Sequence, residues 1–186
     1  VLVASSYGAF VALALAVVQP HRVHALVAVE PAMLCYADFS ADGRAARAAF
    51  ERDVVAPANA AFRRGDDALG VTLMTGGIAG SAAACGDALQ RRLRSAQAMR
   101  MLALSSNEFP LLPPAALAAL PMPVLLVCGA ETAAIHREVF RNVAAAMPQV
   151  DQVIVPGAGH AVARDQPQAF NDVALRFLQA HAAAPD

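Results

Sequence analysis

Apolar positions follow two regimes along the chain. Toward both ends, short continuous apolar runs alternate with longer segments that are alanine-rich or helically spaced, and in the middle no such run occurs. Val1-Leu2-Val3-Ala4 is the first run. Residues 8–18 are too long and too rich in alanine for a strand and predict a helix, which Pro20 stops. Ala25-Leu26-Val27-Ala28-Val29 is apolar throughout, the pattern of a strand buried on both faces, and Glu30-Pro31 closes it. Two more runs, 124–128 and 152–155, end at Gly129 and at Pro156-Gly157. A helix over 135–147 separates them, and a final helix sets Phe170, Val173, Ala174, Phe177 and Leu178 at i, i+3, i+4, i+7 and i+8. Buried strands alternating with helices predict an α/β fold, a parallel sheet with flanking helices.

Between Cys35 and Pro121 the pattern becomes helical, punctuated by Gly65-Asp66, Thr75-Gly76-Gly77 and Gly86-Asp87. The expected organisation is a core over 1–35, a helical insertion over 36–120 and a return to the core over 121–186. Asp66 or Asp67 is expected to cap one inserted helix and Asp87 another, with Pro110, Pro113 and Pro114 on the return path. Residues 1–20 carry no charge, which raises the question of a membrane span. Ser5-Ser6-Tyr7-Gly8 interrupts the run near its start, no basic segment precedes it, and Gln19-Pro20-His21-Arg22 ends it early. A strand followed by a buried helix accounts for the same residues.

Composition narrows the function classes. Of 186 residues, 58% are hydrophobic and only 16% charged, which excludes a disordered or collagen-like polypeptide. All 14 cations are arginine and 15 acids balance them to a net charge of -1, so nothing electrostatic points to nucleic acid or an anionic membrane. A small molecule is the expected partner. Cys35, Cys85 and Cys128 show no C-x-x-C spacing, so neither a disulfide framework nor a zinc site is indicated and a reducing, cytoplasmic location is expected. The abundance of alanine and the replacement of every lysine by arginine suggest a GC-rich bacterial source.

Chemistry concentrates at two loops. In Ala4-Ser5-Ser6-Tyr7-Gly8 a strand turns sharply into a helix with serine at the apex, an arrangement that exposes a nucleophilic hydroxyl. Ser6 has small residues two before and two after it, Ala4 and Gly8, whereas Ser5 has Val3 and Tyr7 there. Ser6 is therefore the candidate nucleophile, and the Tyr7 backbone N–H, opening the helix, is a candidate oxyanion donor. The plainer alternative is that these serines only cap a helix. Pro156-Gly157-Ala158-Gly159-His160 follows the last strand, where a histidine on a flexed loop can reach a neighbouring strand's nucleophile as general base. His21, His24, His136 and His181 are expected at the surface.

These features, in this order, resemble the α/β-hydrolase superfamily, with residues 1–20 similar to its nucleophile elbow and helix. The G-x-G-H and D-x-P-x-x-F of residues 157–170 are similar to its histidine loop and last helix. The resemblance implies Ser6 as nucleophile, His160 as base, the Tyr7 N–H as half of an oxyanion hole and residues 36–120 as a helical cap. Two positions depart from the family pattern. Ala4 replaces the first glycine of G-x-S-x-G, and Thr132 occupies the slot, three residues after Gly129, where the family commonly has aspartate. Glu30 and Glu131 are the candidate acids, in that order, since some related dehalogenases place the acid after the earlier strand. The implied reaction is acyl transfer on a small ester, thioester or similar carbonyl compound, without metal or cofactor. Resemblance to cofactor-free members also allows carbon–carbon bond hydrolysis or a perhydrolase side activity. The rival reading is a non-catalytic binding module that retains the fold. Phe50, Phe62, Leu69, Met74, Met99 and Met101 suggest an apolar pocket wall. A first strand with an unpaired apolar edge would be an aggregation hazard, so roughly a hundred further residues are expected upstream.

Overall fold

The computed structural model describes residues 1–105 and 109–181. Four parallel strands, β1 (Leu2–Ser5), β2 (Leu26–Val29), β3 (Val124–Gly129) and β4 (Asp151–Val155), form one sheet in that spatial order. The register sets Ser5 beside Val29, Val29 beside Val127 and Gly129 beside Val155, so the carboxyl ends of all four strands meet along one edge. Only β2 and β3 are buried at every position. β1 and β4 flank them with one neighbour each, and Val3 and Ile154 are more than half exposed. The expectation that residues 25–29 form a strand buried on both faces holds, and β3 shares that burial.

Successive side chains on the central strands feed opposite layers. Leu26, Ala28, Val124, Leu126 and Cys128 pack with α1 (Tyr7–Val18) on one face. Val27, Val29, Leu125 and Val127 pack on the other with residues that the C-terminal helices supply.

The middle of the chain is helical, and among its described residues no strand occurs. It contains α2 (Ala41–Phe50), a π-helical turn (Glu51–Val55), α3 (Ala56–Arg63), α4 (Asp67–Ala79), α5 (Gly86–Leu93), α6 (Ala96–Ala103) and α7 (Pro114–Ala118). Pro57 opens α3 without an N–H to give, and the widened turn before it accommodates that loss. Ser40 Oγ accepts the Gly43 N–H at 3.0 Å and Asp66 Oδ1 accepts the Leu69 N–H at 3.0 Å, so Asp66, not Asp67, caps α4. Asp87 caps nothing. It lies inside the first turn of α5, where a carboxylate still favours the helix dipole. Ala58, Phe62, Val71 and Met74 form an apolar cluster separate from the two sheet layers.

The chain returns through α8 (Ala134–Ala145), between β3 and β4, and ends in α9 (Val162–Asp165) and α10 (Pro167–Ala180). Phe170, Ala174 and Phe177 of α10 are buried against the sheet, as their spacing predicts. Among the described residues no helix is long and apolar enough to cross a membrane.

Candidate active site

Ser6 sits between the end of β1 and the start of α1. Its backbone has φ 54° and ψ -122°, in the left-handed half of the map that side chains avoid, and the surrounding hydrogen bonds hold it there. Its N–H donates to Val29 O at 2.8 Å, and its carbonyl accepts the N–H groups of Ala9, Phe10 and Ala32. It occupies the N-cap position of α1, yet its side chain caps no helix N–H. The hydroxyl instead lies 3.0 Å from His160 Nε2. Ser5 is exposed beside it.

The histidine loop is braced from both sides. Gly157 turns with φ 69°, Gln166 Nε2 donates to its carbonyl at 3.2 Å, and the Gly159 N–H donates to Asp165 Oδ2 at 3.1 Å. Gly129, ending β3, lies against the same loop. A Cβ built there would run into the carbonyl oxygens of Ala158 and Gly159, so only glycine lets the loop lie over the strand end. His160 is 7% exposed and its Nδ1 lies 2.6 Å from Glu30 Oε2.

Glu30 follows β2 directly and is 2% exposed. It too has a positive φ, 43°; Ser6 and Glu30 are the two described non-glycine residues with that conformation. The carboxylate is enclosed by donors: the Gly129 N–H reaches Oε1 at 2.8 Å, the Thr132 hydroxyl reaches Oε2 at 2.8 Å, and Cys128 Sγ lies 3.5 Å from Oε1. Burial is the largest influence and pushes its pKa up. Hydrogen bonding and charge from His160, the Gly129 N–H and the Thr132 hydroxyl together outweigh it, and the carboxyl is held below its ordinary value. A carboxylate can only accept, so the hydrogen shared with His160 resides on Nδ1 and Nε2 is left as the acceptor for the Ser6 hydroxyl. Glu131 is exposed; its backbone N–H donates to Ala158 O at 2.9 Å. Glu30, not Glu131, is the acid brought to His160.

The hydroxyl faces a cavity of about 310 Å³ between the sheet edge and the helical middle. Phe50, Val55, Met74, Ile78, Leu102 and Phe109 give it an apolar wall. Of the residues expected to line it, Phe50, Met74 and Met99 do; Phe62 is buried in the separate cluster, and Leu69 and Met101 are partly exposed outside the cavity.

The sequence model of the alpha/beta hydrolase family matches residues 1–173. The chain belongs to that family. Among solved structures it is similar to a thermophilic esterase (23% identity, TM-score 0.70, covering 99% of this chain and 67% of that one). It is also similar to the esterase RhEst1 from Rhodococcus sp. ECU1013 (17% identity, TM-score 0.71, 97% and 65%). The carboxylesterase CesB (YbfK) from Bacillus subtilis is a third such structure (24% identity, TM-score 0.67, 95% and 59%). This hydrolase chain thus spans 59% to 67% of the length of these proteins, and at such identities the likeness is one of fold. No curated protein matches the sequence.

Both departures from the hydrolase pattern have a structural resolution. A Cβ built on Gly8 would stand 4.0 Å from that of Ala4, an ordinary contact, so the elbow has more room than the small-residue pattern implies. Thr132 cannot hold an imidazolium, and it does not; it donates to the carboxylate that does.

His136 is where sequence reasoning went astray. It is 6% exposed, not at the surface, and its ring lies 4.3 Å from that of His160 and 6.1 Å from that of Phe50. Its Nε2 is buried without a partner, and burial, then the neighbouring His160, lower its pKa to about 4 against the pull of Glu30. The missed signal is periodic, since 136, 140 and 143 recur at i, i+4 and i+7 on the apolar face of α8. His21 and His24 are exposed and His181 half-buried, with His24 Nε2 3.1 Å from His181 O. Glu30, His136 and His160 also present ligand atoms within 4.8 Å of one another, among the described residues the group able to surround an ion. His160 already spends Nδ1 on Glu30 and Nε2 on Ser6, so an ion would displace one of those bonds.

Proposed function

We propose that this protein is a serine hydrolase that cleaves a small ester or similar carbonyl compound through Ser6, His160 and Glu30. The observation that carries the reading is the continuous relay from Ser6 Oγ to His160 Nε2 at 3.0 Å and from His160 Nδ1 to Glu30 Oε2 at 2.6 Å, at the wall of an apolar cavity. His160 Nε2 takes the Ser6 proton as Oγ attacks the carbonyl carbon. The imidazolium that forms is held by Glu30, then protonates the leaving oxygen or sulfur, giving an acyl-Ser6. Water, deprotonated by the same Nε2, releases the acid and restores the hydroxyl. The Tyr7 N–H, among the first α1 donors without an intrahelical acceptor, is one oxyanion donor, worth about 3 kcal/mol to the barrier. Residues 36–120 act as a cap over the acyl pocket, which favours apolar acyl groups.

A fluorophosphonate probe tests the reading. Covalent label mapped to Ser6, and lost in His160→Ala, is the expected result. Absence of label in folded protein would leave the serine idle and favour a binding module on the hydrolase fold.

A further inference from the structure

Among the described residues one charged side chain intrudes on the cavity that Ser6 faces. Arg92, from α5, lines it among the apolar groups and also lines a second, outer groove, so it stands where the two spaces join. The outer groove adds Arg91 and Arg164, and among the described residues no carboxylate lines either space. Arg164 pairs with Asp165 at 3.0 Å. Among the described residues no acid pairs with Arg92, although it is half-buried. Burial and then the charge of Arg164 push its pKa below the ordinary value. A guanidinium partly stripped of water, with no counter-charge among the described residues, is an unfavourable arrangement, and an anion relieves it. The planar fork of arginine suits a carboxylate or a phosphate, and a mouth whose described lining carries arginines and no carboxylate draws anions inward.

We propose that the substrate carries an oxyanion, held by Arg92 at the junction of the cavity and the outer groove, while its carbonyl lies at Ser6. The inference rests on the hydrolase reading for the position of the carbonyl, but anion binding at Arg92 stands without it. A carboxylate at the far end of the acyl chain and a phosphate on the leaving group would both satisfy the site, and the same assay separates them.

The experiment compares kcat/KM for matched pairs: p-nitrophenyl hexanoate against the mono-p-nitrophenyl ester of adipic acid, and S-hexanoyl-pantetheine against its phosphorylated counterpart. At least one anionic member should be preferred, and Arg92→Met, which keeps an apolar stem, should lower its anionic-to-neutral ratio about ten- to a hundredfold. Raising ionic strength should lower the ratio in the wild type. The preferred pair identifies the anion's location. In a Ser6→Ala background, calorimetry reads binding without turnover, and Arg92→Met should weaken the anionic member by a similar factor; Arg92→Gln serves if the methionine variant misfolds. An anionic-to-neutral ratio near one in the wild type, or one unmoved by either variant, would overturn the inference. Loss of all turnover and labelling with anion binding intact would instead overturn the hydrolase reading alone.

Discussion

His136 offers the sharpest test of the site's electrostatics. In the folded protein its ring lies between Phe50 and His160 with a pKa of about 4, whereas the unfolded chain restores the ordinary value of 6.5. Between those two values the unfolded state binds a proton that the folded state refuses, so stability rises with pH across the window and falls on acidification. Linkage across this gap gives a loss of about 2 kcal/mol on going from pH 7 to pH 5, equivalent to about 4–8 °C in Tm for a chain of this size. His136→Phe keeps a flat ring in the stack, removes the titration and removes the unpartnered Nε2, whose burial costs about 1–3 kcal/mol at any pH. Urea unfolding at pH 7 and pH 5 should therefore find the variant more stable at both, with the pH difference reduced by about 2 kcal/mol. Groups beyond Glu30 and His160, which couple to His136, titrate alike in both proteins, so the comparison reports on this buried cluster. An identical pH dependence in variant and wild type would refute the reasoning and mean that His136 carries its proton or meets water.

Three further outcomes follow from the geometry around Glu30. Glu30→Gln should lower kcat about a thousandfold or more because the imidazole loses its orienting anion, while Glu131→Gln, at an exposed position, should leave ester turnover within about twofold. Thr132→Val strips a donor from a buried carboxylate and should destabilise the fold by about 1.5–3 kcal/mol in chemical denaturation, with Thr132→Ser restoring most of it. Gly129→Ala must push the histidine loop off the end of β3, so it should abolish fluorophosphonate labelling of Ser6 in protein that retains its far-ultraviolet circular dichroism.

Much of this is legible in the amino-acid sequence, and for a physical reason. Strands buried on both faces must be apolar at every position, so β2 and β3 declare themselves, and the turns after them announce the carboxyl edge where a site can form. Ser6 was legible because a sharp strand-to-helix turn limits side-chain size, even though Gly8 proves to have room to spare. What could not be read was the direction of side chains that lack an apolar signature. His136 and Arg92 are polar residues on helices, where surface is the ordinary expectation. Only the phase of each helix against the cavity reveals that one is buried beside His160 and the other lines that cavity.

The placement of the acid shows why family spacing is a weaker guide than sheet geometry. Parallel strands in register end side by side, so the residue after β2 and the residues after β3 share one small volume under the histidine loop. Glu30 N–H donates to Val127 O of β3, and Gly129 N–H returns to Glu30 Oε1. From either strand end a carboxylate can reach the same Nδ1, and two there would repel one another in a poorly solvated pocket. Once Glu30 holds the position, the slot after β3 needs a neutral donor of small volume, which is what Thr132 provides through its hydroxyl. The threonine therefore complements an acid moved by one strand, and restoring aspartate alone, as Thr132→Asp, should raise the pKa of the pair and lower activity instead of improving it.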